Sequence, residues 1–172
     1  ISASGATPPE RLQPAIEAVE KLGSNVVVGE TCRARHGYLA GSDDLRASDI
    51  NAMFVNPEID GIFCIRGGYG ATKILPKLDL DMIKNNPKVF AGYSDVTALH
   101  IVFNQQCGFV TYHTPMPSTE FIKDKMDEYT WDYFINSVTN TEWSDYLLEN
   151  VSGEELVTVV PGEAKGVLIG GN

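Results

Sequence analysis

Hydrophobic positions recur along the chain at spacings that predict several helices. Leu12, Ile16 and Val19 are spaced as on one helical face, and Thr7 with Glu10 forms a capping box that predicts where this helix begins. Further segments combine apolar positions at helical spacing with a cap residue or a tight turn. They predict a helix from Ser42 to near Pro57, and others over residues 71–75, 80–84, 95–103 and 127–137.

Short runs of β-branched and aromatic residues predict strands between these helices. They lie at residues 26–28, 59–65, 88–92 and 109–112. Because the strands alternate with helices, we expect right-handed βαβ units, which build a parallel sheet covered by helices. The predicted fold class is therefore α/β, with a flavodoxin-like parallel sheet flanked by helices.

The pattern changes after Pro115, where aromatic residues become frequent and two strand-like runs follow at residues 155–160 and 165–170. We expect an N-terminal α/β nucleophile domain over residues 1–145. Residues 146–172 are expected to form a linker and the beginning of a truncated, mostly β C-terminal domain. The chain begins at Ile1 without a methionine and stops on an apolar run, so we expect it to be part of a longer protein.

Charge and cysteine content narrow the class of function. The 172 residues carry 23 acidic and 13 basic side chains, for a net charge of −10, which opposes binding to nucleic acid or to an anionic membrane surface. No apolar run approaches the roughly 18 residues that span a bilayer. The three cysteines have no CxxC spacing, which favours reduced thiols in a cytoplasmic protein over a disulfide or metal framework.

Two loops follow predicted strands, at the edge where open parallel sheets bind ligands. The first, at residues 66–70, is spelled Arg-Gly-Gly-Tyr-Gly. Its glycines allow the backbone to turn tightly and to present N–H groups to an anion. A tight turn with no ligand is an equally good interpretation of the pattern alone.

The second loop, at residues 92–95, is spelled Gly-Tyr-Ser-Asp and places Ser94 between a strand and a helix. This arrangement is typical of a nucleophile elbow, although the full GxSxG spelling is absent. The Asp95 N–H at the helix start is a candidate donor to an oxyanion. From the pattern alone, a serine that merely caps the helix is the favoured interpretation.

The histidines do not complete a catalytic triad. His100 lies six residues beyond Ser94 on the same predicted helix, which places it about 9 Å further along the axis and on another face. His36 lies in a polar loop. His113 follows a strand and is expected at the same sheet edge as Ser94, where a structural role is the favoured interpretation.

Both loops resemble those of the LD-carboxypeptidases, which are muramoyl-tetrapeptide carboxypeptidases. The wider serine peptidase family also holds the microcin C self-immunity peptidases. The resemblance covers nearly the whole chain, and the two loops at this spacing are specific. Further matches lie at residues 37–41, Asp44, Arg46, and residues 75–76, 78–79, 86–88, 96–100, 113–116 and 170–172.

The resemblance implies a Ser–His–Glu triad with Ser94 as the nucleophile. It implies an oxyanion hole built from the backbone N–H groups of Asp95 and Gly68. The family's Glu and His lie in a C-terminal domain that begins around residues 170–172, so that missing domain is an expected partner. The candidate substrate-binding residues are Arg66, for which a structural ion pair is the alternative, Gly67, Tyr69 and His113.

By resemblance, the whole enzyme releases the terminal D-Ala from murein tetrapeptide during cytoplasmic recycling of wall fragments. A homodimer is expected, and no metal or cofactor is implied. Tyr69 and Gly70 favour the carboxypeptidase branch over the microcin-immunity branch. The alternatives are a microcin-immunity type peptidase, which cleaves peptidyl or aminoacyl nucleotide conjugates, and a non-catalytic flavodoxin-like binding domain.

Overall fold

A three-stranded parallel sheet organises the fold in the computed structural model, which describes residues 1–140, 153, 155 and 157–171. The strands are β1 (Gly61–Phe63), β2 (Val89–Gly92) and β3 (Tyr112–His113), in the order β1-β2-β3. β1 pairs with β2 in a register that sets Ile62 opposite Phe90. The predicted α/β class is confirmed.

Helices separate the strands, as the alternating pattern predicts. The α-helices are α1 (Pro9–Glu20), α2 (Asp43–Val55), α3 (Ala71–Ile74), α4 (Leu80–Asn85), α5 (Thr97–Val102) and α6 (Glu128–Thr139). Short 3₁₀ turns lie at Glu30–Cys32, Leu75–Lys77 and Ser94–Val96, and π-helical turns at Phe103–Cys107 and Pro117–Phe121. No helix of the described residues combines the length and apolarity needed to cross a membrane.

Three buried phenylalanines anchor β2 against the helices. Phe54, Phe90 and Phe103 are fully buried, and the Phe103 ring lies edge-on to both others at centroid distances of 5.3 and 4.9 Å. Such aromatic pairs add stability beyond the area that they bury. The core therefore fixes the strand that ends at the serine turn.

All three cysteines are buried free thiols. Burial raises the pKa of the Cys64 thiol to about 12. A thiol that stays protonated near neutral pH is a poor nucleophile, so Cys64 serves packing.

The prediction that Thr7 caps α1 is wrong. The helix begins at Pro9 after the extended Pro8, and no side chain caps it. A residue that precedes a proline is pushed out of the helical region, so Pro9 prevents Pro8 from joining the helix.

The strand predicted at residues 26–28 is also absent. These valines are irregular and line a cavity of about 430 Å³ bounded by residues of α1 and β1, and Val27 is 55% exposed. In the described part of the chain, the run takes part in no strand or bridge pairing. The strand predicted at residues 109–112 is only Tyr112–His113, because Val110 is 68% exposed and does not join the buried sheet.

The chain divides into two compact units, residues 1–126 with 169–172, and residues 127–168, which include α6. The strands predicted at residues 155–160 and 165–170 are irregular wherever they are described. Val157 and Val159 are 85% and 90% exposed, so they offer no buried sheet face. Residue 156 and the predicted boundary between residues 145 and 146 lie outside the described residues, and that boundary stays a prediction.

Candidate active site

The serine turn directly follows β2. Ser94 has φ +65° and is the one non-glycine residue with positive φ in the described part of the chain. Gly92 has φ +154°, and a Cβ there would lie 3.0 Å from the Cys64 Cβ. A sharp, strained turn between a strand and a helix is the geometry of a nucleophile elbow. The sequence prediction for this turn therefore agrees with its observed conformation.

The glycine loop, residues 66–70, lies against this turn. A Cβ at Gly67 would lie 2.8 Å from the Ser94 Cβ and 3.0 Å from its Oγ, so only glycine leaves room for the serine. Gly68 has φ +135°, and a Cβ there would lie 2.8 Å from the Gly5 backbone nitrogen. The loop is therefore held between the serine turn and the N-terminal segment. Within the loop, Tyr69 is 77% exposed.

Arg66 holds the glycine loop through backbone oxygens. Its Nη1 donates to the Ala6 carbonyl at 3.0 Å and its Nε to the Gly67 carbonyl at 3.2 Å. Both bonds go to carbonyl groups, unlike the ion pair considered as the alternative. The guanidinium stays half-buried at the loop, and its positive charge is not neutralised by such bonds.

His113 ends β3 at the edge of the sheet where the serine turn follows β2. Its ring is exposed, and its centroid lies 5.8 Å from that of Tyr93, the residue before Ser94. In the pairing of the two strands, His113 lies opposite Gly92. The expected position at the rim near Ser94 is thus observed.

His100 braces the end of β2. It is buried, and its Nε2 lies 2.9 Å from the Gly92 carbonyl oxygen, which also accepts a hydrogen bond from Thr114 N. A carbonyl oxygen only accepts, so Nε2 carries the hydrogen. Burial lowers the pKa of His100, which favours the neutral ring. This histidine packs behind the turn, as its place on the helix indicated.

A carboxylate outside the sequence prediction fixes Tyr93. The Tyr93 hydroxyl donates to Glu120 Oε1 at 3.2 Å, and Met116 N donates to Oε2 at 3.1 Å. Burial alone would raise the pKa of Glu120, but hydrogen bonds from Thr119, Met116 and Tyr93 lower it overall. Burial, with the Glu120 charge, raises the pKa of Tyr93. The pair is therefore an ionised carboxylate and a neutral phenol.

Sequence reasoning also missed a buried cation behind the two loops. Arg46 is fully buried, and its Nη1 donates to the Ala3 and Gly70 carbonyls at 2.7 and 2.8 Å. Its Nη2 pairs with Asp43. Arg46 is one of the positions that match the family, yet nothing in the neighbouring sequence indicates that its side chain is buried. Among the described residues, no group of three His, Cys, Asp or Glu side chains is placed to hold a metal ion.

Comparisons with known proteins agree with this geometry. A family described as the LD-carboxypeptidase N-terminal domain matches residues 1–114. A probable murein peptide carboxypeptidase of Bacillus subtilis is 38% identical over 164 residues, covering 95% of this chain and 50% of that protein. The microcin C7 self-immunity protein MccF of Escherichia coli is 28% identical over 182 residues, covering 91% and 52%.

Solved structures give the same result for the fold. The muramoyltetrapeptide carboxypeptidase of Oxalobacter formigenes superposes with a TM-score of 0.73 at 28% identity, covering 81% of this chain and 46% of that one. The chain therefore belongs to the LD-carboxypeptidase family, of which it carries the N-terminal domain. It spans about half the length of the curated relatives described above.

Proposed function

We propose that the chain is the nucleophile-bearing part of a serine LD-carboxypeptidase that releases the terminal D-Ala from murein tetrapeptide. The observation that carries this proposal is the strained Ser94, packed against Gly67 at the carboxyl end of the sheet. Families whose members carry such a turn use its serine for acyl transfer. Relatives named as murein peptide carboxypeptidases supply the substrate class.

In the proposed reaction, Ser94 Oγ attacks the carbonyl between the L-configured centre of the diamino acid and D-Ala. A histidine base, held by a glutamate, takes the serine proton and then gives it to the departing amine. Both residues are assigned to the part of the relatives that this chain does not span. Water afterwards hydrolyses the acyl-enzyme and frees the serine.

Backbone N–H groups complete the proposed site. The negative oxygen of the tetrahedral intermediate is assigned to the N–H groups of Asp95 and Gly68, which lie on the two loops that meet at Ser94. Arg66, with its cationic guanidinium, is assigned to the substrate carboxylate. Gly67 and the exposed Tyr69 and His113 complete the proposed substrate-binding surface. We further propose that the whole enzyme works in the cytoplasm as a homodimer.

The MccF relative supports a second candidate, a peptidase that cleaves peptidyl or aminoacyl nucleotide conjugates. An aromatic residue that stacks on the nucleobase, in the part of the protein beyond this chain, would favour it. A non-catalytic binding domain is the third candidate, and it predicts no turnover of either substrate.

One assay of the full-length protein separates these candidates. We expect D-Ala release from murein tetrapeptide, little cleavage of an aminoacyl nucleotide conjugate, and a loss near 10⁶-fold for Ser94→Ala. Preferred cleavage of the conjugate would support the second candidate. A Ser94→Ala protein that kept a tenth of the activity would contradict the assignment of the nucleophile.

A further inference from the structure

The side chain of Asp95 makes contacts that the proposed reaction does not use. A single carboxylate oxygen, Oδ2, accepts a hydrogen bond from the Ser4 hydroxyl at 2.7 Å and another from the Ala71 N–H at 2.8 Å. Ser4 and Ala71 are fully buried. The two donors lie 91 and 24 residues away along the chain, so the carboxylate joins distant segments.

Those two segments enclose the glycine loop. Ala71 directly follows the loop and begins α3. The N-terminal segment contacts the loop from the other side, since Gly5 N donates to the Gly67 carbonyl at 3.2 Å. The Asp95 carboxylate therefore ties the serine turn to both flanks of the loop that carries Gly68.

Arg46 holds the same segments from the buried side. Its Nη1 donates to the carbonyl of Ala3, the neighbour of Ser4, and to the carbonyl of Gly70, the neighbour of Ala71. Arg46 thus fixes the flanks of the loop relative to each other through contacts that do not involve Asp95. A rigid support of this kind restricts the loop position to a fraction of an ångström.

We propose that the Asp95 carboxylate is a positioning residue that sets the separation of the two oxyanion-binding N–H groups, those of Asp95 and Gly68. This inference rests on the proposed function. One N–H belongs to the residue that carries the carboxylate, and the other lies on the loop that the carboxylate holds. Because the oxyanion exists only along the reaction path, a wrong separation lowers turnover and leaves substrate binding nearly intact.

Four substitutions in the full-length protein test the proposal. Asp95→Ala leaves both donors without an acceptor, and we expect kcat to fall about 100-fold with KM changed less than about threefold. Asp95→Asn keeps an oxygen that accepts both bonds, so kcat is expected to stay within about tenfold of wild type. Ser4→Ala removes one bond and is expected to lower kcat at least about fivefold.

Ser118→Ala is the matched control. Ser118 is 1% exposed and, like Ser4, donates its hydroxyl in one buried bond, to the Ile65 carbonyl at 2.8 Å. Ser118→Ala therefore measures the effect of losing a buried serine hydrogen bond that does not involve the Asp95 carboxylate. We expect a lowered melting temperature and a normal kcat.

Three results would overturn the proposal. The first is a normal kcat for folded Asp95→Ala, which would leave the carboxylate a merely structural role. The second is an Asp95→Asn protein as slow as Asp95→Ala, which would point to charge instead of geometry. If Asp95→Ala does not fold, Ser4→Ala decides, and an unchanged kcat there overturns the proposal.

Ser94→Ala, assayed in parallel, keeps the two proposals distinguishable. An active Ser94→Ala protein would contradict the proposed function itself. An inactive Ser94→Ala protein beside a fully active Asp95→Ala protein would contradict the positioning role alone.

Discussion

Ser94 adopts a left-handed backbone conformation, with φ +65°, that costs an L-residue about 1–2 kcal/mol. Glycine pays no such penalty because it has no Cβ. Ser94→Gly should therefore unfold with a free energy about 1 kcal/mol higher than Ser94→Ala, which keeps the Cβ without the hydroxyl. Urea unfolding of both variants measures the difference.

Gly108 supplies the reciprocal control for this strain. It has φ +77°, and an added Cβ would meet no atom within 4 Å. Gly108→Ala should lose about 1 kcal/mol from backbone strain alone. Equal stabilities of Ser94→Gly and Ser94→Ala, beside a destabilised Gly108→Ala, would show that Ser94 is not strained.

Gly67 gives a prediction about space at the proposed nucleophile. It needs no positive φ, so Gly67→Ala adds no backbone strain of that kind, but its Cβ would lie 2.8 Å from the Ser94 Cβ. Displacement of the serine should lower kcat about 100-fold in the full-length protein. Gly61→Ala is the control, since its Cβ meets Val89 at an ordinary 3.5 Å. Normal turnover by Gly67→Ala would contradict the proposed site.

His100 predicts a pH dependence of stability. Burial lowers its pKa below the ordinary value of 6.5, so the unfolded chain binds a proton at a higher pH than the folded chain does. The contribution of neutral His100 to the free energy of unfolding should therefore be complete above about pH 6.5. It should decrease as the pH falls towards the pKa of His100 in the folded protein. Urea unfolding at about pH 7.5 and about pH 5.5 measures this loss.

Two histidine variants separate this effect from other titrations. His100→Gln should remove most of the loss, whereas His36→Gln, at an exposed loop position, should keep it. A loss that persists in His100→Gln would assign the pH dependence to other groups.

Individual residues of the site also show which of its features the sequence predicts and which it does not. The Ser94 turn was predictable because its signals, a strand, a glycine and a helix, are adjacent in the chain. The Asp95 carboxylate and Arg46 were not, because their partners Ser4, Ala71 and Ala3 come from distant segments. Contacts between residues so far apart in the chain depend on tertiary packing, which a local sequence pattern does not reveal.

At the scale of elements, local sequence signals predict helix starts and strands correctly where neighbouring residues and packing do not oppose them. Ser42 was predicted to open α2, and its side chain accepts the Leu45 N–H at 3.2 Å. Thr7 failed as a cap because the prolines after it moved the helix start. The valines at residues 26–28 failed as a strand because strand formation also needs a neighbouring edge, which propensity does not supply.

The cap of α2 gives a prediction for an element. Ser42→Ala removes the acceptor of the Leu45 N–H and should lower the free energy of unfolding by about 1 kcal/mol. Ser48→Ala is the matched control, because Ser48 is exposed inside the same helix, where alanine favours helix formation. Equal stabilities of the two variants, by urea unfolding, would contradict the capping role.

At the scale of the whole molecule, the α/β class followed from the alternation of strands and helices, and comparison confirms it. The strands expected at residues 155–160 and 165–170 are irregular where the structure describes them, and Val157 and Val159 are 85% and 90% exposed. A strand pattern marks a surface that is able to pair, but it does not supply the partner strand. The proposed catalytic Glu and His are likewise assigned to the part of the relatives that this chain does not span.

The division of the proposed triad predicts the behaviour of the 172-residue chain by itself. A serine without its base is a weak nucleophile, so this chain should release no measurable D-Ala from murein tetrapeptide, whereas the full-length protein should turn over. His100 does not replace the base, because its Nε2 already donates to the Gly92 carbonyl. Circular dichroism must first show that the shorter chain is folded. Turnover by the folded 172-residue chain near that of the full-length protein would contradict the divided triad and place the base within this chain.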